Sequence, residues 1–241
     1  MFALIRYHIS YYIKSSKFVM PLLAYFIFLT ISYSAGPVSI AKIIVSACAL
    51  YLDMVWVGFA YGDVENPISE QIIMLKCGNM KAYYRSKIIF LFLFSFFMSF
   101  IGLLIPSLRD LIGKFGKGNV FHLSLASGLE FYVIHVVAAF LGAMVGYFFQ
   151  PRVFKNRMLI VIVAFLFALM GFVKGPLLQD IPNMKFVTWI FPPVYSMVTL
   201  QTDPNTGLFS RGPFALTVAI AVIYATIFAI FNIYFTKKKG F

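Results

Sequence analysis

Long apolar runs broken by short polar stretches set the pattern of the chain. Six runs approach the roughly 20 residues that cross a hydrocarbon core of about 30 Å. They cover about 18–34, 38–60, 88–105, 129–149, 158–173 and 213–235. They do not alternate apolar with polar residues, as strands of a transmembrane β-barrel would. The pattern predicts an all-α integral membrane protein with six transmembrane helices in one domain over 1–241. Gly36 and Pro37 mark a tight turn between the first two spans. Pro106 marks the end of the third span and Gln150-Pro151 the end of the fourth, while 120–128 reads as a short interfacial or re-entrant piece. Ahead of the first span, Phe2, Ile5, Ile9, Tyr12 and Ile13 are apolar, and Arg6, Ser10, Lys14 and Lys17 recur on another helical face. Residues 1–17 are therefore expected to form an amphipathic helix in the membrane interface, basic side toward the headgroups. A cleavable signal peptide competes, with Ser32 and Ser34 small enough for a cleavage site. The long basic leader and the span-length run favour an uncleaved helix.

Composition agrees with this reading. Of 241 residues, 61% are hydrophobic and only 12% charged, with mean hydropathy +0.90. A water-facing fold carries about a quarter of its residues charged. The net charge of +12 would raise nucleic acid as a partner in a soluble protein. Here the basic residues flank apolar spans, so the anionic inner surface of the bilayer is the simpler partner and nucleic acid is not expected. With the N-terminus inside, 13 of the 20 Lys and Arg residues fall on the inner side and seven outside. That asymmetry predicts cytoplasmic N- and C-termini. Cys48 lies in a span and Cys77 in a polar loop, so no disulfide is expected. Two ladders of small residues, Ala138-Gly142-Gly146 and Ala221-Ala225-Ala229, predict close helix packing, within the chain or at a dimer seam.

Candidate chemistry is sparse. His8, His122 and His135 are scattered, and Glu130 lies five residues from His135, off its face. The stretch 113–119, GKFGKGN, lacks the Lys-Ser/Thr pair of a phosphate loop and has no strand before it. No nucleotide or metal site is visible in the sequence. Asp53 is the one acid deep inside a span. Lipid exposure of such a group costs roughly 2.5–3.5 kcal/mol on insertion scales, so it must meet either an interhelical partner or a translocation path. The densest charge cluster before the C-terminal tail is 62–87, with Asp63, Glu65, Glu70, Lys76, Lys81, Arg85 and Lys87. It is expected to be a cytoplasmic loop. A proton-coupled carrier using Asp53 and a membrane-embedded lipid-modifying protein are the rival classes. The first often shows two matching halves, which are not evident here. The second needs clustered His, Asp or Glu at one depth.

Two stretches carry a family resemblance. The first is 70–87, EQIIMLKCGNMKAYYRSK: an acid, a short apolar helix, a break at Gly78-Asn79, a basic stretch and a Lys opening the next span. The second is 183–200, NMKFVTWIFPPVYSMVTL, an aromatic helix broken by Pro192 and Pro193. Together with the layout of nearly the whole chain, they resemble ABC-2 type membrane permease subunits of ATP-driven exporters. The family often has proline at the break, where this chain has Gly78-Asn79.

The resemblance implies a transport subunit without its own ATPase site, paired with a second copy or a homologue and seated on separate ABC ATPase subunits. ATP and magnesium would belong to that partner, with no cofactor in this chain. The segment 67–75 would be the coupling helix, with Pro67 suited to its start and Gly78 to its end. Glu70 and Lys76 would be exposed for charged contacts around the apolar Ile72, Ile73 and Leu75. The segment 174–212, with Trp189, Phe191, Pro192, Pro193 and Tyr195, would seal the outer mouth. Spans rich in Phe and Met fit amphipathic peptides or other hydrophobic cargo better than sugars. The Lys-rich and Phe/Ile-rich usage fits the cell membrane of a Gram-positive bacterium, and exporters of phenol-soluble modulins are the specific expectation.

Overall fold

The computed structural model describes residues 1–34, 38–115, 125–150, 156–181, 183, 185–201 and 208–239. Ten helices order these residues: α1 Phe2–Lys14, α2 Val19–Ser34, α3 Ile40–Gly62, α4 Pro67–Cys77, α5 Met80–Phe115, α6 Leu125–Phe148, α7 Arg157–Asp180, α8 Lys185–Thr188, α9 Val194–Val198 and α10 Arg211–Lys239. There is no β-sheet among the described residues. Helices α3, α5, α6, α7 and α10 are each long and apolar enough to cross a membrane. The protein is thus an all-helical, multi-pass membrane protein. Helix α2 has 16 residues and rises about 24 Å, which is short of a hydrocarbon core. Joined to α1, from which it is bent by 74°, it passes as a sixth candidate by length and composition.

Several predicted boundaries move. Helix α5 runs through Pro106 to Phe115, and α7 through Pro176 to Asp180. Proline removes one helical hydrogen bond, and membrane helices tolerate this because neighbouring groups and local adjustments re-satisfy the backbone. The first nine residues of the predicted polar connection 107–119 are accordingly helical. The basic stretch 81–87 is also helix, continuous with the span rather than a loop before it. Gly36, Pro37, Pro151 and His122 lie outside the described residues, as do Lys117 and Asn119 of the GKFGKGN stretch and Arg152 and Lys155 of the charge count.

Helices α3 and α6 form the centre and bury most of their length, while α5, α7 and α10 lie around them. Their contact is backbone to backbone. A Cβ on Gly142 would fall on the Tyr51 carbonyl, one on Gly146 on the Val55 carbonyl, and one on Gly58 on the Ala143 carbonyl. The ladder of Ala138, Gly142 and Gly146 is therefore spent inside the chain. In the second ladder Ala221 and Ala225 are fully buried, on an α10 that packs against α6. There the Asn232 amide donates to the Met144 carbonyl (3.1 Å). A polar cluster at this depth is paired internally. His135 donates from Nδ1 to the Phe131 carbonyl (2.7 Å) and sets Nε2 2.9 Å from Ser46 Oγ, and the Tyr33 hydroxyl donates to that Oγ (3.3 Å). Such pairing is what a buried polar group in an apolar setting requires.

Candidate coupling junction

The link between α3 and α5 folds as local chemistry dictates. Asn66 caps α4, its side-chain oxygen accepting from the Ile68 amide (3.1 Å), and Pro67 occupies the first turn. Both choices suit a helix start, where free N–H groups need an acceptor and a missing N–H costs nothing. Gly78 ends the helix with φ +61° and donates to the Met74 and Leu75 carbonyls. No side-chain contact demands glycine there; the left-handed backbone does. Asn79 then caps α5 by accepting from the Ala82 amide (3.1 Å). Two rigid helices thus meet across a two-residue joint.

The inner face of α4 carries Glu70 and Met74, both buried. Glu70 was expected to be exposed. Its carboxylate instead lies 3.0 Å from the Lys87 ammonium, which also pairs with Glu65 at 3.1 Å. All three side chains are almost completely buried. Tyr7 of α1 donates to Glu65 (2.9 Å), and so does Tyr83 of α5. The Lys87 ammonium lies 4.7 Å from the centre of the Tyr83 ring. Met74 packs with Tyr83 and Tyr84 in a small core that Leu4, Ile73 and Met80 border. One lysine and two carboxylates, wrapped in tyrosine, therefore tie α4, the α3–α4 link, α5 and α1 together.

His8 completes the junction. The Ser86 hydroxyl donates to the Tyr83 carbonyl (2.6 Å), so His8 Nε2–H donates to Ser86 Oγ (2.9 Å). Burial, reinforced by the Lys87 ammonium, lowers the His8 pKa to about 4. Burial alone would raise the Glu65 carboxyl. Lys87 and the hydrogen bonds from Tyr83 and Tyr7 outweigh it and hold Glu65 below the ordinary carboxylate value. At neutral pH His8 is thus neutral and Glu65 is ionised beside Lys87.

The outer face of α4 is the reverse of the usual pattern. Ile68, Ile72 and Leu75 lie one turn apart and are 66%, 49% and 76% exposed. Gln71 and Lys76 are exposed beside them, and Ile73 is half-buried on the other side. Of the predicted coupling residues, Ile72, Leu75 and Lys76 share this outward face and Glu70 does not. Pro67 serves the helix start.

The other predicted residues lie elsewhere. Asp53 sits half-buried in the middle of α3, electrostatically close to Tyr12 and Tyr25. Its Oδ2 is buried without a hydrogen-bond partner among the described residues. Trp189 and Tyr195 lie at the opposite end of the bundle. Pro192 and Pro193 are buried there, Phe191 and Tyr195 half-buried, and Trp189 exposed with the Lys174 ammonium 5.8 Å from its ring. The sequence noted Glu65, Lys87 and His8 without placing them together, and it did not single out Tyr7, Tyr83 and Ser86. One signal was present: Tyr83-Tyr84 directly before Arg85-Ser86-Lys87 is too aromatic for a wholly solvated basic stretch. Cys48 and Cys77 are free thiols. Comparison of the chain with protein-family models, curated proteins and solved structures finds no match.

Proposed function

We propose that this chain is the membrane-spanning subunit of an ATP-driven exporter of the ABC-2 type. In this reading six spans put both termini and α4 in the cytoplasm of a bacterial cell, and α1 lies in the inner interface. Two such subunits, identical or homologous, form the path. A separate ATPase subunit binds ATP and magnesium and moves them. The observation that carries the reading is α4 itself: a capped, rigid helix that offers Ile68, Ile72, Leu75 and Lys76 outward and is bolted inward through Glu70 to Lys87. A push on the outer face reaches α5 through the ion pair and α1 through Glu65 and Tyr7. Docking energy that differs between two states of the ATPase can then shift the spans between two arrangements. The exposed stripe of α3, with Val45 and Trp56 and the nearby Asp53, is the candidate path lining. Amphipathic peptides or other hydrophobic compounds are the fitting cargo, and the α8–α9 segment closes the outer mouth.

The unpartnered Asp53 oxygen favours one second reading, a proton-coupled carrier. A single experiment separates the two. The chain is reconstituted in liposomes with a candidate ABC ATPase subunit co-purified from its host, and export of a fluorescent amphipathic peptide is followed. Export that needs ATP and the ATPase is expected. Export driven by a pH gradient with the ATPase left out would reject the ABC-2 assignment.

A further inference from the structure

A second feature needs only the membrane location, not the transport reading. The chain turns at Ser15 to Phe18, where Ser16 adopts φ +55°, and this bend of 74° lays α1 against α5 instead of along α2. Between α1 and α5 a cavity of about 320 Å³ remains. Tyr12 and Phe90 form its buried floor, and the exposed Ile9, Ile13, Leu93 and Phe97 form its open edges. The Tyr12 hydroxyl is the one polar group among these six side chains. The α5 wall from Phe90 to Phe97 extends about 10 Å along the helix, from near the basic turn at Arg85 into the apolar span.

Charge decides what enters. Arg6, Ser10 and Lys14 recur every four residues on α1, directly beside the stripe of Ile9 and Ile13. All three are exposed, and neither Arg6 nor Lys14 forms an ion pair among the described residues. An apolar slot open to the bilayer, rimmed by two uncommitted cations at headgroup level, matches an anionic phospholipid. We infer that the α1–α5 slot holds one acyl chain of an anionic phospholipid, with the phosphate set on Lys14 and Arg6. The bound lipid would be a fixed part of the elbow, bracing α1 against the junction helix.

The test uses the full chain in vesicles, with Leu93→Trp as the reporter and Trp56→Phe and Trp189→Phe to silence the native tryptophans. The vesicles are phosphatidylcholine with a minority of phosphatidylglycerol, and either lipid carries brominated acyl chains. Brominated phosphatidylglycerol is expected to quench out of proportion to its share, by roughly fivefold for each cation. Lys14→Gln and Arg6→Gln should each remove about that factor and leave the fold intact. A control reporter at the lipid-facing Ile223 of α10 should show no preference. Equal quenching by both lipids, or a preference that survives both substitutions, would overturn the site. Displacement of the lipid by a cationic amphipathic peptide far below the lipid concentration would overturn it too, assigning the slot to a peptide.

Discussion

The short helices at the two ends of the bundle are built in opposite senses. Helix α9 turns Val194 and Met197 inward, with Pro192 and Pro193 buried beside them, and seats Tyr195 over Gly175 of α7. Its own chain satisfies it. Helix α4 turns Glu70 inward and Ile68, Ile72 and Leu75 outward. An element that buries its charge and exposes its isoleucines leaves an apolar face outside its own bundle. The inner ion pair explains how α4 keeps this orientation. Apolar burial alone would rotate the isoleucines inward, whereas Glu70 can be buried only where Lys87 meets it. The difference separates a helix that packs its apolar side chains on its own bundle from one that leaves them exposed.

The comparison breaks most sharply at Lys87. Lys87→Met strands two buried carboxylates, and loss of one member of such a set costs about 3–5 kcal/mol. The expected result is a large fall in the thermal unfolding temperature of the purified protein. Adding Glu65→Gln and Glu70→Gln to that variant should recover most of it, because a neutral buried set carries no stranded charge. Failure of the triple variant to recover would mean that the tyrosine contacts, not the charges, hold α4. Glu70→Arg belongs to the same class: it places a cation beside Lys87 and is expected to unseat α4.

At the other end the expected damage is steric. A side chain on Gly175 would overlap the Tyr195 ring, so Gly175→Leu should lift α9 at about 1–3 kcal/mol, the usual range for overpacking. Proteolysis between α8 and α9 should quicken while α4 keeps its protection. Equal loosening of both ends would remove the contrast between them.

A smaller effect comes from acid. His8 faces Tyr83, Lys87 and Ser86 of α5, Tyr61 of α3, Glu65 of the link and Tyr7 of its own helix. Its docked pKa of about 4 lies below the free value of 6.5. Undocked α1 therefore takes up a proton that docked α1 refuses. Docking is at full strength above 6.5 and weakens as pH falls from 6.5 toward 4. At about pH 5.5 the loss is about 1.4 kcal/mol, one unit of the shift. The depressed Glu65 adds stability above the ordinary Glu value and loses it at still lower pH, so both groups act in one direction. Spin labels at Ser10 and Lys81 should move apart across this window. With His8→Gln the change above pH 4.5 should vanish.

How much of this was legible depended on the range of the interaction. The ends of α4 were readable because proline and glycine constrain the backbone locally, and Pro67 and Gly78 stand where the helix starts and stops. The long apolar helices were readable from hydropathy. Pro106 misled because a helix stop learned from water does not hold in lipid. The first apolar run was readable as a helix, since α2 spans Val19–Ser34, but its elbow with α1 was not, because that depends on contacts between α1 and α5. The burial of Glu70 left no local trace. It depends on Lys87, 17 residues on, and a lone Glu in a polar stretch looks solvated until that partner is placed. The outward turn of Ile68, Ile72 and Leu75 follows from that pairing and was hidden with it.

The last prediction has the smallest effect on the fold and bears most directly on α4. Ile72→Glu with Leu75→Glu changes only exposed side chains, so stability should stay within about 0.5 kcal/mol. The Glu70–Lys87 pair is untouched, and α4 should remain seated. Under the proposed ABC-2 function, what should change is association with an ATPase subunit, because apolar anchors at an interface centre carry most of its energy. Membrane-extracted complexes should lose the ATPase subunit, and ATP-driven export should fall by at least tenfold, about 1.4 kcal/mol of docking. Lys76→Glu alone should weaken docking less and in a salt-dependent way, as expected for a rim charge. The competing account of the exposed isoleucines is that they rest in the bilayer surface. That account makes a different prediction: the double variant would shift α4 away from lipid, read by a label at Cys77, while ATPase binding stayed unchanged. Outward apolar residues that serve a protein and those that serve lipid are thus separated by the same pair of substitutions.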